Sequence, residues 1–192
     1  AIFNKTGIHI ERYWKLKSKE HKDSLGNICE KVKYLLNDAI TRQLVSDMPL
    51  CTFLSGGLDS SIITKFAADY YQKEGLPLLD TYSIDYVDND KNFVKSDFQP
   101  NSDNYYIDLM NKNLHTKHHK IVIDTPELAS YLEDAMIARD MPGMADIDSS
   151  LLLFCKNVKK EMTVALTGEC ADEIFGGYPW FFREDALNSG TF

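Results

Sequence analysis

The stretch Ser55-Gly56-Gly57-Leu58-Asp59-Ser60-Ser61 constrains this chain more than any other. Before it lies a short apolar run, Pro49-Leu50-Cys51-Thr52-Phe53-Leu54, which reads as a buried strand. After it, Ile62-Ile63-Thr64-Lys65-Phe66-Ala67-Ala68 reads as the start of a helix. The chain therefore leaves a strand, makes a Gly-Gly turn and enters a helix through Asp and Ser. Gly56 and Gly57 permit positive φ and a close approach of backbone to a ligand. Amides at the helix start and the helix dipole favour an anion there. Ser55, Ser60 and Ser61 add hydroxyl donors, whereas Asp59 would repel a phosphate unless a divalent cation stood between them. The competing reading is a tight turn with Asp59 or Ser60 as N-cap. The whole string in strand–loop–helix context favours the phosphate site. It is neither a Walker A loop nor a G-x-G-x-x-G fingerprint.

The remaining periodicities supply a frame for that loop. From Leu25, residues Ile28, Cys29, Val32, Leu35, Leu36, Ala39, Ile40 and Leu44 fall on one helical face, and Asp47-Met48-Pro49 ends the helix. A helix over about 60–74 stops at Gly75, and 78–85 reads as a strand with Tyr82, Ile84 and Tyr86 alternating. Residues 87–102 form a polar loop, followed by a helix over about 103–114 and a third strand over about 118–123. Thr125-Pro126-Glu127 opens a helix running to about Arg139, which Asp140-Met141-Pro142-Gly143 breaks. Asp148 or Ser149 starts another helix through Lys160, and 163–167 is a fourth strand. Residues 1–23 read as an arm or linker ahead of one domain over 24–192. Strands alternating with long crossovers predict an α/β fold: an open, mostly parallel sheet with helices on both faces, strand order 3-2-1-4. Ligands on such sheets sit at the carboxyl ends of strands, where the winding reverses.

The fourth strand runs into Thr167-Gly168-Glu169-Cys170-Ala171-Asp172-Glu173-Ile174-Phe175-Gly176-Gly177-Tyr178. A solvated acidic helix start would explain its carboxylates, since the dipole favours them. The predicted strand order instead makes the first and fourth strands neighbours, so Asp59 and Asp172 face one Mg²⁺ held against phosphates. Mg²⁺ is suited to a few carboxylates plus phosphate oxygens.

The first loop resembles the PP-loop of ATP-pyrophosphatases, which cleave ATP between the α and β phosphates. Asp47-Met48-Pro49, the SGGLDSS loop, His118-His119 ahead of a strand and TGECADEIFGGY together resemble the synthetase domain of glutamine-hydrolysing asparagine synthetases. The resemblance covers the chain from about residue 24 and implies an adenine nucleotide alpha hydrolase-like fold. It implies that an acid, most simply aspartate, attacks the α-phosphate of ATP to give an acyl-adenylate and pyrophosphate, and that ammonia then forms the amide. Carried over, Ser55, Gly56, Gly57, Asp59 and Ser60 hold pyrophosphate and metal, and Asp172 is the second metal carboxylate. Glu169 sits at the reacting acyl group, while Phe53, Ile84 and Gly168 line the adenine and ribose pocket. The family's glutaminase domain and a later helical segment bearing a catalytic lysine are not in this stretch, so it reads as a C-terminally incomplete piece of a larger enzyme. Cys51 and Cys170 stand where the family usually has glycine, and Cys170 reads as a small packing residue. Residues 142–148 occupy the region that should shape the acid pocket. No basic residue is evident there to hold a free amino acid's carboxylate.

Composition narrows the classes. A net charge of −8, from 29 acidic and 21 basic residues, argues against nucleic acid as a partner and against a tRNA-modifying PP-loop enzyme. No apolar run approaches the ~20 residues of a membrane span, and there is no secretory pattern at Ala1–Ile10. Cys29, Cys51, Cys155 and Cys170 lie far apart and read as reduced thiols of a cytoplasmic protein. His115, His118 and His119 lack carboxylate or thiol companions at ligand spacing and read as structural. The run Tyr178-Pro179-Trp180-Phe181-Phe182 reads as a packing surface rather than a base-stacking one. NAD synthetase-type adenylation and a non-catalytic nucleotide module remain as alternatives; Glu169 argues against the latter, because a mere binder does not need it.

Overall fold

The computed structural model describes residues 1–95 and 101–188, apart from the side chains of Asp146, Pro179 and Ala186. Residues 96–100 of the polar loop expected at 87–102 lie outside the described residues. The chain divides into two compact units, residues 1–35 and 36–192.

In the first unit, β1 (Ile2–Asn4) and β2 (Gly7–His9) pair antiparallel, with Ile2 opposite His9. Asn4 Oδ1 closes the turn by accepting from the Thr6 amide (2.9 Å) and the Thr6 hydroxyl (2.6 Å). All strand residues of this hairpin are exposed, and the alternation of Ile8-His9-Ile10 is too short to announce it. α1 (Leu25–Gln43) begins in this unit, its start capped by the Asn27 amide donating to Ser24 Oγ at 3.3 Å, and continues into the second. Only Ile40 and, just past the helix, Leu44 are buried, whereas Leu25 and Leu35 are exposed. The apolar face expected along the whole helix therefore reaches core only at its C-terminal end.

The second unit runs β3 (Leu50–Phe53), α2 (Leu58–Lys73), β4 (Leu79–Tyr86), α3 (Asn89–Asn92), α4 (Asp103–Asn113) and β5 (Thr116–Ile123). It continues through α5 (Thr125–Ser130), α6 (Leu132–Arg139), α7 (Ala145–Val158), β6 (Val164–Leu166), α8 (Ala171–Phe175), a 3₁₀ turn (Pro179–Phe181) and α9 (Glu184–Leu187). The four strands β5-β4-β3-β6 form one parallel sheet; counted among themselves in chain order they run 3-2-1-4. Alternation along β3 explains the layering. Leu50 faces a cluster with Ile40, Leu44, Ala67, Ala68 and Leu79, backed by α2. Cys51 faces the opposite cluster with Tyr82, Phe154, Val158 and Met162, backed by α7. Leu54 and Leu79 are fully buried, and truncating such a leucine to alanine costs about 2–5 kcal/mol.

Several buried hydroxyls on the first face are paired, though Thr116 Oγ1 is not. Thr52 meets Thr64 at 3.0 Å, and the His118 ring bridges Thr81 (Nδ1, 2.9 Å) and Ser83 (Nε2, 3.0 Å). His119, on the other face, stacks on Tyr82 at 4.5 Å and bonds Asp80 at 2.6 Å. The two histidines thus lie within β5 rather than ahead of a strand. Being consecutive there, they point to opposite faces and cannot converge on one metal.

Three helix boundaries differ from those expected. α2 starts at Leu58 with Gly57 as N-cap, so neither Asp59 nor Ser60 caps it. The helix expected over 125–139 is split at Tyr131, whose hydroxyl accepts from Lys156 Nζ (3.2 Å) with that ammonium 4.3 Å from the ring centre. This tertiary contact with α7 leaves no mark in periodicity. α7 starts at Ala145 with Met144 as N-cap, so neither Asp148 nor Ser149 caps it. Asp148 pairs with Arg139 at 2.6 Å, and the Ser149 hydroxyl donates back to Ala145 O at 2.6 Å.

The two unusual cysteines differ in kind. Cys51 is fully buried and donates to Val164 O at 3.6 Å; burial, and then the Asp80 charge, pushes its thiol up to about 12. Cys170 is exposed at φ +68° and caps α8, so it is not the small packing residue expected. A left-handed backbone there is one that favours glycine. Among the described residues no helix is long and apolar enough to cross a membrane.

Two outcomes follow from this packing. Burial, and then the charge of His119, lowers the His118 pKa. The unfolded chain therefore takes up this proton first, so the stabilising contribution is complete above about pH 6.5 and is lost as pH falls through that value toward the folded one. In urea unfolding, the wild type is expected to lose more stability than His118→Gln between about pH 7.5 and about pH 5.5; equal losses would remove His118 from the acid response. Cys170→Gly, which relieves the left-handed Cβ, is expected to raise stability by about 0.5–1 kcal/mol in the same assay, and a destabilised variant would contradict the strain.

Candidate active site

The site forms where the adjacent strands β3 and β6 release their chains. The Leu54 amide still bonds Tyr82 O at 2.8 Å, so the loop leaves the sheet from a fixed point. Ser60, itself buried, then braces the loop from within. Its Oγ accepts from the Ser55 amide (3.2 Å), donates to Gly57 O (3.1 Å) and lies 2.9 Å from Ser55 Oγ. The expected role of the two glycines divides. Gly56 sits at φ +83°, and a Cβ there would lie 2.7 Å from Asp103 O, so only glycine fits. Gly57 has ordinary extended backbone at φ −69°, contrary to the positive φ expected for both. The first-turn amides of α2, from Leu58 to Ser60, have no carbonyl partner within the helix.

The second loop meets the first through Gly168. A Cβ at Gly168 would lie 3.0 Å from Asp59 Cβ and 3.2 Å from the Ser60 amide nitrogen, so the absent side chain is what lets the loops touch. The Glu169 amide donates to Thr167 Oγ1 at 3.0 Å, which turns the chain toward α8 and places Asp172 in that helix's first turn.

Together these elements enclose a cavity of about 450 Å³, a size suited to a small-molecule ligand. One wall is apolar, from Phe53, Tyr82, Ile84, Leu151 and Phe154; a second is Ser55, Gly57, Asp59 and Ser60; a third holds Thr167, Gly168, Glu169, Cys170, Asp172 and Tyr178. Of the residues expected from sequence, Phe53, Ser55, Gly57, Asp59, Ser60, Ile84, Gly168, Glu169 and Asp172 line this cavity. Gly56 does not; its space is taken up by α4. Tyr82, Leu151, Phe154 and Thr167 escaped notice because their types and spacing are those of ordinary core and strand-end positions. Phe154 packs edge-on against Phe53 at 4.7 Å, which stiffens the apolar wall. Burial, and then the Glu161 carboxylate 3.2 Å away, pushes the Tyr82 phenol up to about 12, so it lines the cavity as a neutral group. Tyr178 belongs to the aromatic run; its ring stacks on Trp180 at 4.3 Å, so the run packs at least partly on itself.

A second cavity of about 490 Å³ shares Ile84, Leu151, Phe154 and Glu169 with the first and adds Tyr86, Leu128, Ile147 and Ser150. Glu169 thus stands where the two spaces join. Among the described residues, neither lining contains a lysine or arginine. An anion in the first cavity would depend on amides, hydroxyls and a cation. No group of three or more His, Cys, Asp or Glu is arranged to hold a metal among the described residues. Asp59 and Asp172 are hard oxygen donors that suit Mg²⁺ when ligand oxygens complete the shell.

Residues 31–192 match the asparagine synthase family. Glutamine-hydrolysing asparagine synthetase 3 of Bacillus subtilis strain 168 is 56% identical over 183 residues, covering 95% of this chain and 30% of that protein. Asparagine synthetase 1 of the same strain is 29% identical over 174 residues, 89% of this chain and 25% of that protein. The chain therefore spans less than a third of the length of these curated relatives. A solved glutamine-dependent NAD⁺ synthetase from Acinetobacter baumannii, in complex with ADP, aligns with a TM-score of 0.46 at 15% identity, over 85% of this chain and 29% of that one. The family match begins in α1 and takes in both loops of the cavity, and on that match the chain belongs to the asparagine synthase family.

Proposed function

We propose that the chain is the nucleotide-binding part of an ATP-dependent amide-forming ligase that converts aspartate to asparagine. The observation that carries this is the contact of Gly168 with Asp59 and Ser60, which joins an anion-binding loop to a carboxylate-bearing loop around one cavity. The base and sugar of ATP lie along Phe53, Ile84 and Gly168, with Phe154 behind. The phosphates reach Ser55, Gly57, Ser60 and the first-turn amides of α2. Asp59 and Asp172 would hold Mg²⁺, which would offset phosphate charge when bound.

The acid enters the second cavity with its carboxylate toward Glu169. A carboxylate oxygen attacks the α-phosphorus, the bridging bond to the β-phosphate breaks, and pyrophosphate leaves against the first loop. This step needs alignment and charge neutralisation more than a covalent group from the protein. Ammonia nitrogen then attacks the acyl carbon, the bond to the AMP oxygen breaks, and Glu169 accepts the proton released from nitrogen. The ammonia would come from a glutaminase domain of the parent protein, in keeping with the glutamine-hydrolysing names of its relatives.

Calorimetric titration of this chain with ATP is expected to give saturable binding that requires Mg²⁺ and is lost in Asp59→Ala. Binding that ignores Mg²⁺, or survives in the variant, would remove Asp59 from the site. In the full-length parent, Glu169→Gln is expected to lower the rate of amide formation about 10²–10⁴-fold, with the ATP KM little changed; an equal effect on both would make Glu169 a nucleotide contact instead.

A further inference from the structure

Asp85 is a buried carboxylate near the end of β4 that the chemistry above does not use. Four donors surround it. Its Oδ1 accepts from Asn89 Nδ2 (2.8 Å) and the Tyr86 amide (2.9 Å); its Oδ2 accepts from Asn104 Nδ2 (3.0 Å) and pairs with Lys120 Nζ (2.6 Å). Burial alone would raise its pKa, but these bonds outweigh burial and lower it, so the group stays charged. Asn89 opens α3, and Asn104 lies in the first turn of α4.

That first turn of α4 is the surface against which the phosphate loop is moulded. A Cβ at Gly56 would lie 2.7 Å from Asp103 O, 3.3 Å from Tyr106 Cβ and 3.3 Å from Ile107 Cγ1, and Ile107 is itself buried. The left-handed turn at Gly56 therefore rests directly against the start of α4. The geometry points to Asp85 and Asn104 as positioning residues: through their hydrogen bond they seat α4 against Gly56 and so fix the loop that presents Ser55, Gly57 and Ser60. Neither side chain lines the cavity. Asn89 makes the matching bond to the same carboxylate from α3, whereas the three atoms nearest a Cβ at Gly56 all belong to α4, so Asn89 provides an internal control. The effect on ligand affinity rests on reading residues 55–61 as a phosphate site; the effect on the loop itself does not.

The test compares wild type, Asn104→Ala and Asn89→Ala by two measurements on the full chain. Amide hydrogen exchange at Gly56–Ser60 without ligand is expected to quicken about tenfold in Asn104→Ala. It should stay within about twofold of wild type in Asn89→Ala, since that lost bond is of the same kind but lies on the other helix. Affinity for inorganic pyrophosphate with Mg²⁺, by calorimetry, is expected to fall about tenfold in Asn104→Ala and to hold in Asn89→Ala. A role confined to stability would lower the unfolding midpoint of both variants and move loop exchange and affinity equally. Equal effects, or none in either, would overturn the proposal. A wild-type chain that fails to take pyrophosphate would count against the phosphate reading, while the exchange measurement would still decide the positioning role.

Discussion

Parallel pairing of β3 with β6 brings together two loops that are far apart in the chain. Thr52 is level with Leu166, so the two strands end within one residue of each other and each loop begins beside the other. From that starting point Gly168 comes to rest against Asp59 and Ser60, and Asp59, Glu169 and Asp172 border one space. A slip of one residue would turn alternate side chains to the opposite layer. The core resists such a slip, because Leu50 and Cys51 are both buried but in different clusters. The hydrophobic layers thus set the alignment on which the polar site depends.

The sheet also carries polar groups in its interior, and several of them resolve into specific bonds. Thr52 with Thr64, and His118 with Thr81 and Ser83, hold α2 and β5 to the central strands at defined heights. Unlike apolar contacts, these bonds tolerate little sliding. The cavity itself concentrates three carboxylates without a lysine or arginine in its described lining. On the proposed reading, a cation and an anion that enter together would add to the stability of the folded form.

Much of this architecture was legible in the chain. Gly56 and the serines around it, between an apolar strand and a helix, mark the first loop, and the strand alternation gives the sheet. Glu169 and Asp172 stand out because they follow an apolar strand directly. Other features were hidden for physical reasons. Phe154 and Tyr82 have the composition of ordinary core, and only the fold shows that their edges reach the cavity. The break falls at Tyr131, a residue in contact with Lys156, and local periodicity encodes neither. Ser149 and Asp148 have the residue types of helix caps, yet one bonds back within its helix and the other pairs with Arg139. Gly57 was grouped with Gly56 because two adjacent glycines look alike in sequence, although one is left-handed and the other extended.

The bracing of the first loop by Ser60 bears on the manner of ligand encounter. Its hydroxyl ties Ser55 to Gly57 through bonds internal to the loop. The conformational entropy of ordering this turn is therefore lost when the chain folds rather than when a ligand arrives. On the proposed reading of this loop as a phosphate site, capture would be governed by diffusion and by the stripping of water rather than by rearrangement, and the departure rate would separate strong ligands from weak ones.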